Sequence, residues 1–119
     1  MTKMFYNSAE GDQSNQGDTW YEIASQTGTL HAGQHFIWVY AEYGGVQTNR
    51  TAHIRVLVDG TERGYDYHTP DAGEYKAFSV FGMLNVAVEA EHTISLEIRG
   101  GAGSQTVNVR RIRLVIEKE

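Results

Sequence analysis

Arg55-Val56-Leu57-Val58-Asp59-Gly60-Thr61 decides how this 119-residue chain reads, because it joins an alternating strand to a two-residue turn. Ala52, Ile54, Val56 and Val58 fall on one side of an extended chain, and Thr51, His53, Arg55 and Asp59 fall on the other. An Asp-Gly pair after such a run tolerates the positive φ angles of a type I′ turn, whose twist matches that of paired strands. The stretch therefore predicts a hairpin. The period of two returns in Thr93-Ile94-Ser95-Leu96-Glu97-Ile98-Arg99 and in Ile112-Arg113-Leu114-Val115-Ile116, and no helical periodicity of useful length competes with it.

Working outward, strands succeed one another at short spacing, separated by Gly, Asn and Asp clusters. Trp20 to Ser25 opens the series, and Gly28 to His31 continues it or begins another strand. Gln34 to Tyr43 carries Phe36, Trp38 and Tyr40 on one face and Ile37, Val39 and Ala41 on the other. With both faces apolar, this strand is expected to be covered twice, by the core and by a second layer or subunit. Arg63 to Tyr67 returns from the Asp-Gly turn. Tyr75 to Val88 reads as one strand broken at Gly82, or as two. His92 to Arg99 is expected to pair with Thr106 to Val109 across a glycine-rich link. Between Val109 and Ile112 the apolar residues change from odd to even positions, which predicts a bulge near Arg110-Arg111. About eight strands in one domain fit an all-β, two-sheet antiparallel β-sandwich of the jelly-roll type. Ile54, Val56, Val58, Ile94, Leu96, Ile98, Leu114 and Ile116 are its expected central layer.

Residues 1–19 are set apart from the sandwich of residues 20–119. Asn7 to Thr19 has almost nothing to bury and holds two glycines, so the segment reads as a flexible N-terminal arm anchored by Phe5 and Tyr6. On that reading its removal leaves the melting of the sandwich unchanged.

Composition excludes several classes of function. A chain of this size buries roughly two-thirds of its unfolded surface, enough for a single core. There is no cysteine, hence no disulfide and no thiolate chemistry. A formal charge of −5 argues against nucleic acid, whose binding draws on clustered Lys and Arg. The apolar stretches at Phe36 to Ala41 and Phe78 to Val88 fall short of the ~20 residues of a membrane-spanning helix. The opening Met1-Thr2-Lys3-Met4-Phe5-Tyr6 has no apolar run of signal-peptide length, so a soluble, non-exported protein is expected.

Candidate sites are few. Among the five histidines, His31 and His35 are separated by Ala32-Gly33 on an extended chain, and zinc needs three or four converging ligands, so no metal site and no cofactor is expected. Asp59, Glu62, Asp66, Asp71 and Glu74 lack the spacing of a calcium loop. The serines have no nucleophile-elbow context, and Glu89 and Glu91 read as turn charges, so no enzyme is expected. Arg110, Arg111 and Arg113 form a basic cluster suited to pairing with carboxylates. Tyr65 and Tyr67 share one face of a strand, with Tyr43, Tyr75 and Trp20 in range of it. Flat aromatic faces bury much area at little rotamer cost. Phe5, Tyr6, Tyr43, Tyr65, Tyr67 and Tyr75 are therefore the candidate partner-binding residues, and completion of the core, a protein interface and a carbohydrate surface all remain open for the tyrosines.

The order of motifs carries a resemblance: Gly28-Thr29-Leu30, then Ala32-Gly33, an aromatic strand, Arg55-Val56-Leu57-Val58-Asp59-Gly60, His92 to Arg99 and a closing Arg111 to Glu117. This succession resembles the compact jelly-roll domains of tailed-bacteriophage structural proteins, capsid decoration proteins and fibre heads among them, similar in plan to the C1q and tumour-necrosis-factor folds. The resemblance implies a non-enzymatic virion protein, made in the host cytoplasm and placed on the capsid surface. It implies a homotrimer that binds the major capsid protein through its N-terminal segment. The alternative is a carbohydrate-binding module or receptor-binding fibre head in which Tyr65, Tyr67 and Tyr75 stack on sugars.

Overall fold

A computed structural model describes residues 2–9, 13–45, 50–103 and 105–119, with the main-chain path alone given for 2–9. Nine strands occupy the described residues: β1 (Thr2–Ala9), β2 (Gln13–Gln16), β3 (Tyr21–Leu30), β4 (Gly33–Gly45), β5 (Ala52–Val58), β6 (Thr61–His68), β7 (Tyr75–Val86), β8 (Ala90–Gly100) and β9 (Thr106–Lys118). All pairings are antiparallel, in two sheets of order β1-β9-β4-β7, with β2 also on β9, and β3-β8-β5-β6. The architecture is the expected β-sandwich of the jelly-roll type.

The hairpin that decided the reading is present. Val58 pairs with Thr61, and Asp59 and Gly60 between them have φ of 51° and 80°, the two positive values a type I′ turn requires. Asp59 is further fixed to β8, where its carboxylate accepts from the Thr93 amide at 2.8 Å.

The anticipated layer forms the core. Ala52, Ile54, Val56 and Val58 from β5 and Ile94, Leu96 and Ile98 from β8 meet Ile37, Val39, Ala41 and Tyr43 from β4 and Val107, Val109, Ile112, Leu114 and Ile116 from β9. A bulge keeps β9 usable along its whole length. Tyr40 pairs with Arg113 but Glu42 with Arg110, and Arg111 takes a φ of 54°. The extra residue restores the inward direction after Val109, as the odd-to-even change required.

Three expectations are corrected. Residues 2–9 and 13–16, read as part of a loose arm, lie as β1 and β2 along the free edge of β9. A polar composition says little against main-chain pairing, which needs only an open neighbouring edge. β8 and β9 do not pair: β3 and β5 occupy both sides of β8, so the link after Gly100 crosses from one sheet to the other. β7 is one strand, with Gly82 in unbroken register opposite Ile37.

Candidate functional site

Strand register builds an aromatic platform on the outer face of the β3-β8-β5-β6 sheet. His53 lies opposite Tyr67 on β6 and opposite Arg99 on β8, which makes one row across three strands. Arg55 lies opposite Tyr65 and Glu97, which makes the next. Trp20, immediately before β3, folds over both rows. Its ring meets His53 at 6.4 Å and Tyr65 at 6.1 Å, edge to face in each case.

The tyrosines reach this face because of one residue. Val56 pairs with Gly64 and Leu57 with Glu62, so Arg63 is bulged out of β6. A regular continuation from the turn would have set Tyr65 opposite Ile54 and turned it inward. With the bulge, Gly64, Asp66 and His68 point inward, and Tyr65 and Tyr67 stand 42% and 59% exposed.

The platform is braced from below. The Tyr65 hydroxyl and His53 Nδ1 share a hydrogen bond of 2.6 Å, and the His53 ring is stacked on Tyr67 at 5.8 Å and 27°. Tyr65 and Tyr67 are 6.0 Å apart, centre to centre. Burial, followed by the positive charge of Arg99, holds the His53 imidazole below its ordinary pKa. The guanidinium carbons of Arg55 and Arg99 stand 4.2 and 5.1 Å from the centre of the Trp20 ring. Arg55 is also paired with Glu97 at 2.7 Å and Glu62 at 3.6 Å. The result is a rigid surface of rings edged by hydrogen-bonding groups.

A second surface lies on the opposite sheet. Phe36 and Phe81 stack at 5.7 Å, Trp38 meets Phe81 at 4.2 Å, and Trp38, Phe81 and Met83 are exposed. Beside them a hollow of about 250 Å³ is lined by Trp38, Tyr40, Ser79, Phe81, Arg113 and Val115. Its polar groups are largely engaged: the Tyr40 hydroxyl donates to Glu42 at 2.6 Å, and Arg113 donates to the Ile112 carbonyl at 2.9 Å. The hollow therefore presents mainly apolar atoms.

The candidate residues separate accordingly. Tyr65 and Tyr67 come together with Trp20. Tyr43 does not join them: it is wholly buried, its hydroxyl donates to Asp66 at 2.8 Å, and it belongs to the core. Tyr75 lies on the other sheet, opposite Gly44, with the Arg110 guanidinium 3.9 Å above its ring. The side chains of Phe5 and Tyr6 lie outside the described residues. His53, Arg55 and Arg99 were missed as site residues, and the signal for them is the cross-strand register. Arg110 and Arg111 both pair with Glu42, at 2.8 and 2.9 Å, as their sequence cluster suggested. Among the described residues no group of three or more His, Asp or Glu is placed to hold a metal ion.

Solved structures share this fold. The C-terminal domain of EclA, a sugar-binding protein, matches with a TM-score of 0.61 at 12% identity, over 91% of this chain and 79% of its own. The VP2 subviral particle of infectious bursal disease virus matches at 0.54 and 14% identity, over 97% of this chain and 37% of that one. Dimeric latent PorU from Porphyromonas gingivalis matches at 0.54 and 11%, over the whole of this chain and 13% of its own. At such identities the likeness is one of fold. No protein-family model matches the chain, and no curated protein matches it significantly.

Proposed function

We propose that this domain binds carbohydrate, without chemistry of its own, on the platform of Trp20, His53, Tyr65 and Tyr67. The observation that carries the reading is the exposed Tyr65 and Tyr67 pair, held in place by His53 and Trp20. Rings fixed before binding offer the flat C–H face of a sugar a large contact at little entropic cost. Arg55, Glu97 and the tyrosine hydroxyls supply donors and acceptors for its hydroxyl groups. The shared fold of a sugar-binding protein supports the same direction. Glycan-array binding that is lost in Tyr67→Ala, with an unchanged melting temperature, would bear the proposal out. Equal binding by the variant would place recognition elsewhere.

A second reading is favoured by the other sheet. The exposed Trp38, Phe81 and Met83 suit an assembling partner, and a viral capsid protein shares the fold. On this reading the chain is a virion-surface protein that docks as a homotrimer on a capsid shell. Light scattering that returned a monomer at micromolar concentration, together with no retention on shells, would exclude it.

A further inference from the structure

We infer that the platform takes a negatively charged sugar, one bearing a carboxylate or a sulfate ester, and that Arg99 is its anion partner. The inference rests on the carbohydrate reading and adds the ligand's charge. The two arginines of this face are in different states. Arg55 already has its counter-charge: both Nε and Nη2 reach Glu97 Oε1, at 2.8 and 2.7 Å, and Glu62 stands at 3.6 Å. Arg99 donates through Nη1 to the Gly100 carbonyl at 3.2 Å and lies over the Trp20 ring. Among the described residues it has no carboxylate partner, although Asp and Glu outnumber Lys and Arg by 15 to 10 in this chain.

A guanidinium carries five donors in a fork that matches the two oxygens of a carboxylate or sulfate. Arg99 is half-buried, so an oxyanion that reaches it is only partly screened by water. In register, Arg99, His53 and Tyr67 are successive neighbours on β8, β5 and β6. The outer two therefore lie roughly 10 Å apart, twice the strand spacing. A sugar chain laid across the strands meets a tyrosine ring at one position and a guanidinium at another. The net negative charge of the molecule opposes an anion at long range, but screening over about 8 Å at physiological salt leaves the local contact in control.

The test pairs polymers that differ only in charge: polygalacturonate and alginate against their carboxyl-reduced forms, and chondroitin sulfate against its desulfated form. Affinity electrophoresis is run with the wild-type chain, Arg99→Gln and Arg99→Lys, each checked for an unchanged melting temperature. The expected result is retardation by at least one charged polymer above its neutral counterpart. Arg99→Gln should weaken it about tenfold, the scale of one charge-assisted hydrogen bond, and Arg99→Lys should restore part of it. The carboxylate and sulfate arms identify which oxyanion is read. Equal binding of charged and neutral forms, insensitive to Arg99→Gln, would overturn the inference and leave the carbohydrate reading standing. No retardation by any polymer would overturn both.

Discussion

The Tyr43 hydroxyl, buried between the sheets, donates a 2.8 Å hydrogen bond to the Asp66 carboxylate and so ties β4 of one sheet to β6 of the other. Lys76 on β7 completes the group, at 3.1 Å from Asp66. Burial pushes the Asp66 carboxyl up, but the bonds from Tyr43 and Lys76, with the lysine charge, outweigh it and hold the group below its ordinary range. Tyr43→Phe removes the donor while keeping the ring. It should cost about 1 to 3 kcal/mol in denaturant unfolding, the scale of one hydrogen bond lost to a charged acceptor that Lys76 still pairs. A loss well under that range would mean that the bond contributes little to joining the sheets.

Stability should fall in two stages as the solution is acidified. His35, His53 and His68 are each held below the ordinary 6.5, in every case chiefly by burial. A group with a depressed folded pKa contributes stability that is full above its unfolded value and is lost as pH falls through the folded one. The histidine stage therefore begins below about 6.5. The carboxylate stage follows from Asp66 and from Glu42, whose pKa is lowered by hydrogen bonds from Tyr40 and Arg110 and by the Arg111 charge. It begins below about 4. Thermal melts between pH 8 and 3 check both, and a melting temperature that rose between pH 7 and 5 would contradict the sign.

Arg111 is the residue on which the direction of half a strand depends. Deleting it should turn Ile112, Leu114 and Ile116 outward and abolish cooperative unfolding, because three wholly buried side chains would exchange faces with their neighbours. Deletion of Gly103, an exposed residue between β8 and β9, serves as the control and should leave a folded chain. Circular dichroism melts of the two variants decide the matter, and cooperative melting of the Arg111 deletion would show that the bulge can move along the strand.

The register of β1 makes a different prediction from the composition of the same residues. Thr2 to Ala9 pairs with β9 from Ile112 to Lys118, so removing residues 2–9 strips the edge from a core strand. The melting temperature should drop, and the bared edge of β9 should promote self-association. An unchanged transition would return the segment to the status of a detachable arm.

Strand direction and the core could be read from the sequence because alternation is local: each of Ile54, Val56, Val58, Ile94, Leu96, Ile98, Leu114 and Ile116 needs only its own neighbours to declare its face. The bulge at Arg111 was also visible, since it shifts a strong apolar pattern. The bulge at Arg63 was not, because Glu62-Arg63-Gly64 carries no apolar pattern to shift. Without that bulge, the partners of Tyr65 and Tyr67 could not be derived, and His53, Arg55 and Arg99 stayed hidden. Tyr43 and Tyr75 were misplaced for a related reason: which sheet a strand joins is a long-range property, and side-chain period does not encode it. The two tryptophans, similar in a composition count, finish on opposite faces of the sandwich.

Those two tryptophans provide the most direct test of where ligand binds. Incorporation of 5-fluorotryptophan gives one fluorine resonance for Trp20 and one for Trp38, assigned through Trp38→Phe. Titration with the best-retarding polysaccharide should shift the Trp20 resonance and leave that of Trp38 in place, because Trp20 edges the tyrosine platform and Trp38 lies on the other sheet. Movement of Trp38 with Trp20 unchanged would contradict the account and move recognition to the Phe36, Trp38 and Phe81 face.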